Sequence, residues 1–376
     1  MRKQTVRVGL VLYSSNFFGG GNKFASDLSS GLIENGFDVA ACAWDKPVKG
    51  MAHEEFLNID RWYTPSIRWN VGKLYRIIFN EHGTVKKMID DFEPDVLIGA
   101  DTEPGVLAGH KVKKIMYVHF PSEGKVFKHS LEHELYRSLY WWRHYKAISE
   151  LDAIVCNSEY TKHITYLLWK SSQPNKNRYS VIYPCVNVQR FAGELKRELK
   201  ACYVGRIDRN KGLEELIHAF TNIKEEIKEA QLDIVGGVKG SPWAEEYYPV
   251  LLSKIQGLQG INIKTDVPGQ EIVKTLLTSR CMGSFNPEEH FGIVPVEAMA
   301  AGCPPVCADG GGQKETIIDG ETGFLVKNVE ELTDRMSRLL SDDRLLKRMS
   351  KKAKDRAMLF DKKAFIEKWI KLLDSM

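Results

Sequence analysis

The stretch ACYVGRIDRNKGLEELIHAFTNI, residues 201–223, carries the organisation of the chain in miniature. Ala201–Gly205 has the length and apolar character of a buried strand, Gly205 lets the chain turn sharply, and Gly212–Ile223 reads as a helix. A strand that passes through a short polar loop into a helix is the repeating unit of a parallel sheet covered on both faces. Outward from this stretch the unit recurs in both directions. Towards the C-terminus, strands are expected at Leu232–Val235, Ile261–Lys264, Cys281–Phe285, Pro305–Ala308 and Gly323–Val326, with helices at Gln270–Thr278 and Val294–Ala300. Towards the N-terminus they are expected at Val6–Tyr13, Phe37–Trp44, Asp95–Ala100, Lys114–Phe120, Ala153–Asn157 and Ser180–Tyr183. Phe24, Leu28 and Leu32 recur at helical spacing between the first two of these, and Gly36 stops that helix.

The polar stretch Gly193–Lys200 separates the two series. The expectation is an α/β chain of two doubly wound, Rossmann-like domains facing across a cleft, with ligand at the carboxyl ends of the strands. Their bounds are 1–192 for an acceptor domain and 193–357 for a donor domain, with 358–376 a C-terminal helix crossing back to the first.

Bulk properties narrow the function. A chain of 376 residues suits two domains, and 43% hydrophobic with 27% charged residues is ordinary for a globular protein. A net charge of +4 without a basic tail argues against nucleic acid as partner. The seven cysteines form no C-x-x-C pair and sit mostly in apolar runs, which suits core thiols in a reducing, cytoplasmic setting. No run approaches the roughly 18 apolar residues of a membrane span, and the N-terminus is a poor signal peptide, so membrane contact is expected to be peripheral.

Four motifs carry chemistry. The loop Gly205–Gly212 holds Arg206, a planar fork of donors, and Lys211, a compact charge, before a helix N-terminus, as a diphosphate requires. A basic surface turn has the same composition. In Glu288–Gly302, Glu289 and Glu297 have seven residues between them, and Gly292 opens a helix whose free amides suit an anion. Carboxylates accept from vicinal hydroxyls, so one suits a transferred sugar and the other a ribose. Glu297 lies among Val296, Ala298 and Met299, where a carboxylate without a partner is costly. Gly19, Gly20 and Gly21 fall between the first strand and helix, where backbone amides approach an anion or a sugar, or simply make a tight turn. His119 ends a strand before Pro121, as a base or hydrogen-bond donor or as a structural histidine. There is no Asp-x-Asp triplet; Asp101-Thr102-Glu103 is the nearest approach, so no metal is assigned and cations and amides are expected to meet the phosphate.

The G-R-x4-K-G loop together with E-x7-E in its Phe-Gly-Ile and Glu-Ala-Met-Ala-Ala-Gly context resembles the family 4 retaining glycosyltransferases of GT-B fold. The likeness covers essentially the whole chain and is strongest over Ala201–Val326. It implies diphosphate binding by Arg206 and Lys211, sugar contact by Glu289 and ribose contact by Glu297. It also implies a donor site that includes Gly20, Gly21, Gly205, Val267, Phe291, Gly292 and Ile293, an active-site His119, and no cofactor beyond the nucleotide-sugar substrate. His290 stands where the family usually has glycine. Tyr117–Pro121, Leu167–Lys170 and Val181–Val186 are further similar to the α-1,2-mannosyltransferases of the dolichol pathway, which implies GDP-mannose and a lipid-linked acceptor, although the membrane anchor of such enzymes is missing. UDP-sugar transfer and a non-catalytic nucleotide-sugar-binding scaffold are the rival readings. A nicotinamide oxidoreductase is disfavoured because neither half carries the dinucleotide glycine fingerprint. Residues 125–146 combine Lys128, Arg137 and Arg143 with Trp141 and Trp142, as a helix packed on its own domain or docked on the cytosolic face of an anionic membrane.

Overall fold

The computed structural model describes residues 5–16, 20–49, 53–65, 82–121 and 141–376. The chain forms two compact units, one of Met1–Pro184 with Lys362–Met376 and one of Cys185–Asp361. The polar stretch Gly193–Lys200 therefore lies inside the second unit, and the C-terminal helix Lys362–Asp374 lies in the first.

The first unit is built on β1 (Arg7–Leu12), β2 (Asp38–Cys42), β3 (Arg61–Tyr63), β4 (Val96–Asp101), β5 (Lys113–Val118), β6 (Ala153–Cys156) and β7 (Tyr179–Val181). Their spatial order is β3-β2-β1-β4-β5-β6-β7, with parallel pairing throughout. The edge strand β3, Arg-Trp-Tyr, is not among the expected strands, because an exposed arginine and two half-buried aromatics make no apolar run. Helix α1 (Gly20–Glu34) buries Phe24, Leu28 and Leu32, the face that their spacing predicts. It ends where Phe37 N–H donates to Leu32 O at 3.1 Å. α1 also meets the C-terminal helix, whose Phe365 and Trp369 join Phe24 and Tyr117 in one buried aromatic cluster.

The second unit contains β8 (Lys200–Arg206), β9 (Gln231–Gly237), β10 (Ile261–Thr265), β11 (Cys281–Ser284), β12 (Pro305–Ala308) and β13 (Phe324–Val326). These lie in the order β10-β9-β8-β11-β12-β13, again parallel. The helix Leu213–Glu226 buries Leu216, Phe220 and Ile223 against this sheet, with Tyr203, Ile234 and Met336 in the same core. Arg197, in the stretch expected to be a linker, is tied down. Its guanidinium donates to the carbonyls of Leu276, Ser279, Ala301 and Gly302, at the C-terminal ends of the helices Gly269–Thr278 and Ile293–Ala300. A cation there offsets the negative helix ends and satisfies their orphan carbonyls.

Each sheet reverses its strand order beside its first strand, between β1 and β4 in one unit and between β8 and β11 in the other. Loops leaving the carboxyl ends at such a reversal diverge and leave a crevice for ligand. All seven cysteines are buried and free, and no helix among the described residues is long and apolar enough to cross a membrane.

Candidate functional site

At the reversal of the second unit, two loops are seated on one another. β8 ends at Arg206, and Tyr203 Oη donates to Arg206 O at 2.7 Å, fixing the exit of the strand. Asp208, buried, caps the following turn by accepting from Asn210 N–H at 3.1 Å. Gly212 has φ 66°, and a Cβ there would stand 1.9 Å from Phe285 O. Only glycine lets the loop after β8 touch the backbone of the loop after β11.

That contact delivers Lys211 to Glu289. Lys211 Nζ lies 2.9 Å from Glu289 Oε2, with side chains 24% and 28% exposed. Asn286 Nδ2 donates to the same oxygen at 3.3 Å. Burial by itself pushes the Glu289 carboxyl up, but the Lys211 charge, its hydrogen bond, and His290 and Asn286 outweigh it, so the pKa falls below the ordinary value. Burial, chiefly, lowers the His290 pKa below its ordinary value, against the opposing charge of Glu289.

The loop after β12 supports this arrangement. Gly312 N–H donates to Glu289 O at 2.7 Å, and Gln313, buried, donates to Asn286 O at 2.9 Å and Ala308 O at 2.7 Å. Cβ atoms on Gly310, Gly311 and Gly312 would meet the carbonyls of Pro287, Glu289 and His290 at 2.1–2.3 Å. Asn286, Gly310–Gly312 and Gln313 were all missed from the sequence. The G-G-G-Q run was the available signal, because three consecutive glycines after a strand mark a close backbone approach.

The other residues expected in this unit take separate places. Arg206 is 60% exposed, its Nε 3.8 Å from Asp208 Oδ2. Gly292, at φ 89°, opens the helix Ile293–Ala300, with Phe291 buried against Phe360 at 5.8 Å between ring centroids. Glu297 is half-buried while its neighbours Val296 and Ala298 are fully covered. Val267 is half-buried in the turn after β10.

At the reversal of the first unit, Gly20 and Gly21 form the first turn of α1 rather than a preceding loop, while Gly19 lies outside the described residues. The Asp101 carboxylate, at the end of β4, lies against Gly21. His119 follows β5 and its Nε2 meets Ala100 O at 3.0 Å, while Asn157 Nδ2 donates to His119 O at 2.9 Å. A carbonyl only accepts, so Nε2 carries the proton and Nδ1 presents a lone pair. Burial lowers the His119 pKa to about 4 against the opposing bond to Ala100, so the ring is neutral at pH 7. Of the basic aromatic segment 125–146, residues 125–140 lie outside the described residues; Trp142 is 61% exposed with Lys146 Nζ 5.2 Å from its ring centre.

The family model for glycosyl transferases group 1 matches residues 187–356, and that for glycosyltransferase family 4 matches residues 18–190. An α-1,3/1,6-mannosyltransferase of Neurospora crassa is 29% identical over 245 residues, 54% of this chain and 52% of that protein. The α-1,3/1,6-mannosyltransferase of Dictyostelium discoideum is 26% identical over 283 residues, 65% of this chain and 66% of that protein. A D-inositol 3-phosphate glycosyltransferase of Corynebacterium diphtheriae is 27% identical over 239 residues, 59% and 55% of the two chains. The matches thus span about half to two thirds of these relatives' own lengths. The same fold occurs in the sucrose-phosphate synthase of Thermosynechococcus elongatus, at TM-score 0.75 and 18% identity over 98% of both chains. It occurs also in HepE of Anabaena, at TM-score 0.76 and 16% identity over 99% of this chain and 100% of that one.

Proposed function

We propose that this chain, which belongs to the group 1 and family 4 glycosyltransferases of GT-B fold, transfers mannose from GDP-mannose to a hydroxyl of a glycan or lipid-linked acceptor with retention at the anomeric carbon. The observation that carries the reading is the 2.9 Å contact of Lys211 with Glu289, which joins the two motifs into one charged group at a strand reversal. The choice of mannose rests on two mannosyltransferases among the relatives.

In the proposed reaction the bond from the anomeric carbon to the diphosphate oxygen breaks, and the acceptor oxygen bonds to that carbon from the same face. The acceptor proton passes to a phosphate oxygen of the leaving nucleoside diphosphate. Arg206 and Lys211 meet the charge that develops there. Lys211 has three N–H donors, so one stays on Glu289 while the others reach phosphate. Glu289, ionised at neutral pH, orients sugar hydroxyls, and Glu297 holds the ribose. Gly205, Val267, Phe291, Gly292 and Ile293 complete the donor side, with Gly20, Gly21 and His119 towards the reacting sugar. Residues 125–146 supply peripheral contact with an anionic membrane at its cytosolic face.

A thermal-shift panel of GDP-mannose, UDP-glucose and UDP-N-acetylglucosamine tests the donor: the right one, at 100 times its Kd, stabilises the fold by about 2.7 kcal/mol. Release of nucleoside diphosphate should fall by about 10²–10³ in Glu289→Ala and Lys211→Ala. Full turnover in either variant contradicts the proposed roles.

A further inference from the structure

The helix Asp343–Ala357 of the second unit is divided lengthwise. Leu345, Leu346, Met349, Ala353 and Ala357 are buried. On the other side Arg344, Lys347, Arg348 and Lys351 are all exposed. At about 100° per residue these four fall within about 100° of one another, so they form one row along the helix and not a ring around it. The same face continues through Asp355 into the tight turn Met358–Phe360, where Met358 is 46% and Leu359 59% exposed. From Arg344 to Leu359 the strip is roughly 20 Å long.

The charge of this row is not taken up inside the molecule. Among the described residues no ion pair holds any of the four side chains, whereas Lys352 beside them is held by Glu321 at 2.9 Å. The acids at the start of the helix are committed. Asp342 accepts from the N–H groups of Arg344 and Leu345, and Asp343 pairs with Arg280. A helix face that is only solvated intersperses the two signs; here four cations stand together, with one acid, Asp355, a turn further on. The row therefore fits an anionic partner. Lysine is depleted where proteins meet proteins, and a convex row of cations leading into exposed apolar side chains suits a bilayer instead. Headgroups there carry the opposite charge, and the acyl boundary accepts the methionine and the leucine. We infer that the exposed face of Asp343–Ala357, with Met358 and Leu359, docks the second unit on an anionic lipid bilayer. This face shares no residue with 125–146, and docking through it is independent of the transferase reading.

The test is co-sedimentation of the full chain with vesicles of phosphatidylcholine and phosphatidylserine at about three to one, against phosphatidylcholine alone. Wild type should bind the mixed vesicles only. Binding should fade between about 0.1 and 1 M NaCl, as the Debye length shortens from about 10 to about 3 Å. Reversing the row, Arg344→Glu with Lys347→Glu, Arg348→Glu and Lys351→Glu, should weaken binding about a hundredfold or more. Lys196→Glu with Lys228→Glu, Lys239→Glu and Lys274→Glu changes the net charge equally at exposed positions off this helix, and should keep most of the binding. Met358→Ser with Leu359→Ser should weaken it about tenfold, through lost apolar burial. Circular dichroism confirms that each variant is folded. Nucleoside diphosphate release with a soluble acceptor should be unchanged in the helix variant, so that loss of docking and loss of transfer are told apart. No binding by wild type, equal binding to phosphatidylcholine alone, or equal loss in the two charge-reversal variants overturns the inference. Undiminished binding by the helix variant overturns it too, and returns any membrane contact to residues 125–146. Binding untouched by Met358→Ser with Leu359→Ser, and abolished by soluble poly-L-glutamate, assigns the row to an acidic protein segment and overturns the bilayer.

Discussion

Asp101 ends β4 and Glu289 lies in the loop that follows β11, each strand standing beside the reversal of a parallel sheet, and the two carboxylates are finished differently. Burial pushes both carboxyls up. For Glu289 the Lys211 charge and two hydrogen bonds more than cancel it, and the pKa falls below its ordinary value. For Asp101 nothing cancels it, and the pKa rises from 3.8 to about 6. The second unit therefore holds its carboxylate charged and oriented before any ligand arrives. The first unit leaves its carboxylate to be completed from outside. A preset group suits a ligand part that is the same in every reaction cycle, such as a donor; an uncompleted one suits the part to be recognised.

The largest expected effect comes from breaking the seating that presets Glu289. Gly212→Ala places a Cβ 1.9 Å from Phe285 O at φ 66°, so one loop must move off the other. It should cost about 3 kcal/mol or more in urea unfolding at pH 7.5, through backbone strain together with collision. A wild-type midpoint for this variant would mean the loops yield easily, and the contrast with Asp101 would lose its basis.

Removing the partner alone is milder. Lys211→Met keeps most of the bulk and leaves Glu289 charged without its cation. The pair is about a quarter exposed, which trims the 3–5 kcal/mol of a fully buried pair to about 2 kcal/mol. The sign follows from the depressed pKa of Glu289: its stabilisation is full above the ordinary value of 4.5 and fades as pH falls through the folded-state value. The gap between wild type and Lys211→Met should thus be open at pH 7.5 and closed in acid, by unfolding titrations at several pH values. A gap that is constant with pH would assign the loss to packing.

Much of this was legible in the sequence. The sheets follow from short apolar runs alternating with helical periods, and Lys211 and Glu289 stood out as charges in loops that follow strands. Asn286 and Gln313 did not, because a polar side chain that holds a loop from behind has no spacing of its own. Asp101 was read as half of a failed metal motif, since nothing local shows that Gly21, eighty positions earlier, yields it the space. For Glu297 the helix geometry adds what the flanks do not show: neighbours along a helix point to different sides, so Val296 and Ala298 are covered while Glu297 is half-buried.

The smallest effect has the opposite sign and sharpens the comparison most. Asp101 binds its proton more tightly folded than unfolded, so its stabilising contribution is full below pH 3.8 and is lost as pH rises through about 6. Asparagine cannot ionise and escapes that loss. Asp101→Asn should therefore match wild type at pH 4 and be more stable at pH 7.5, by on the order of 1 kcal/mol once water reaching this half-buried group is allowed for. A carboxylate serving the fold would behave as Glu289 does, its removal costing most at neutral pH. If Asp101→Asn unfolds earlier than wild type at pH 7.5, Asp101 has a protein partner in solution and the two reversals are finished alike. If it unfolds later, the first unit carries a charge that the fold does not need.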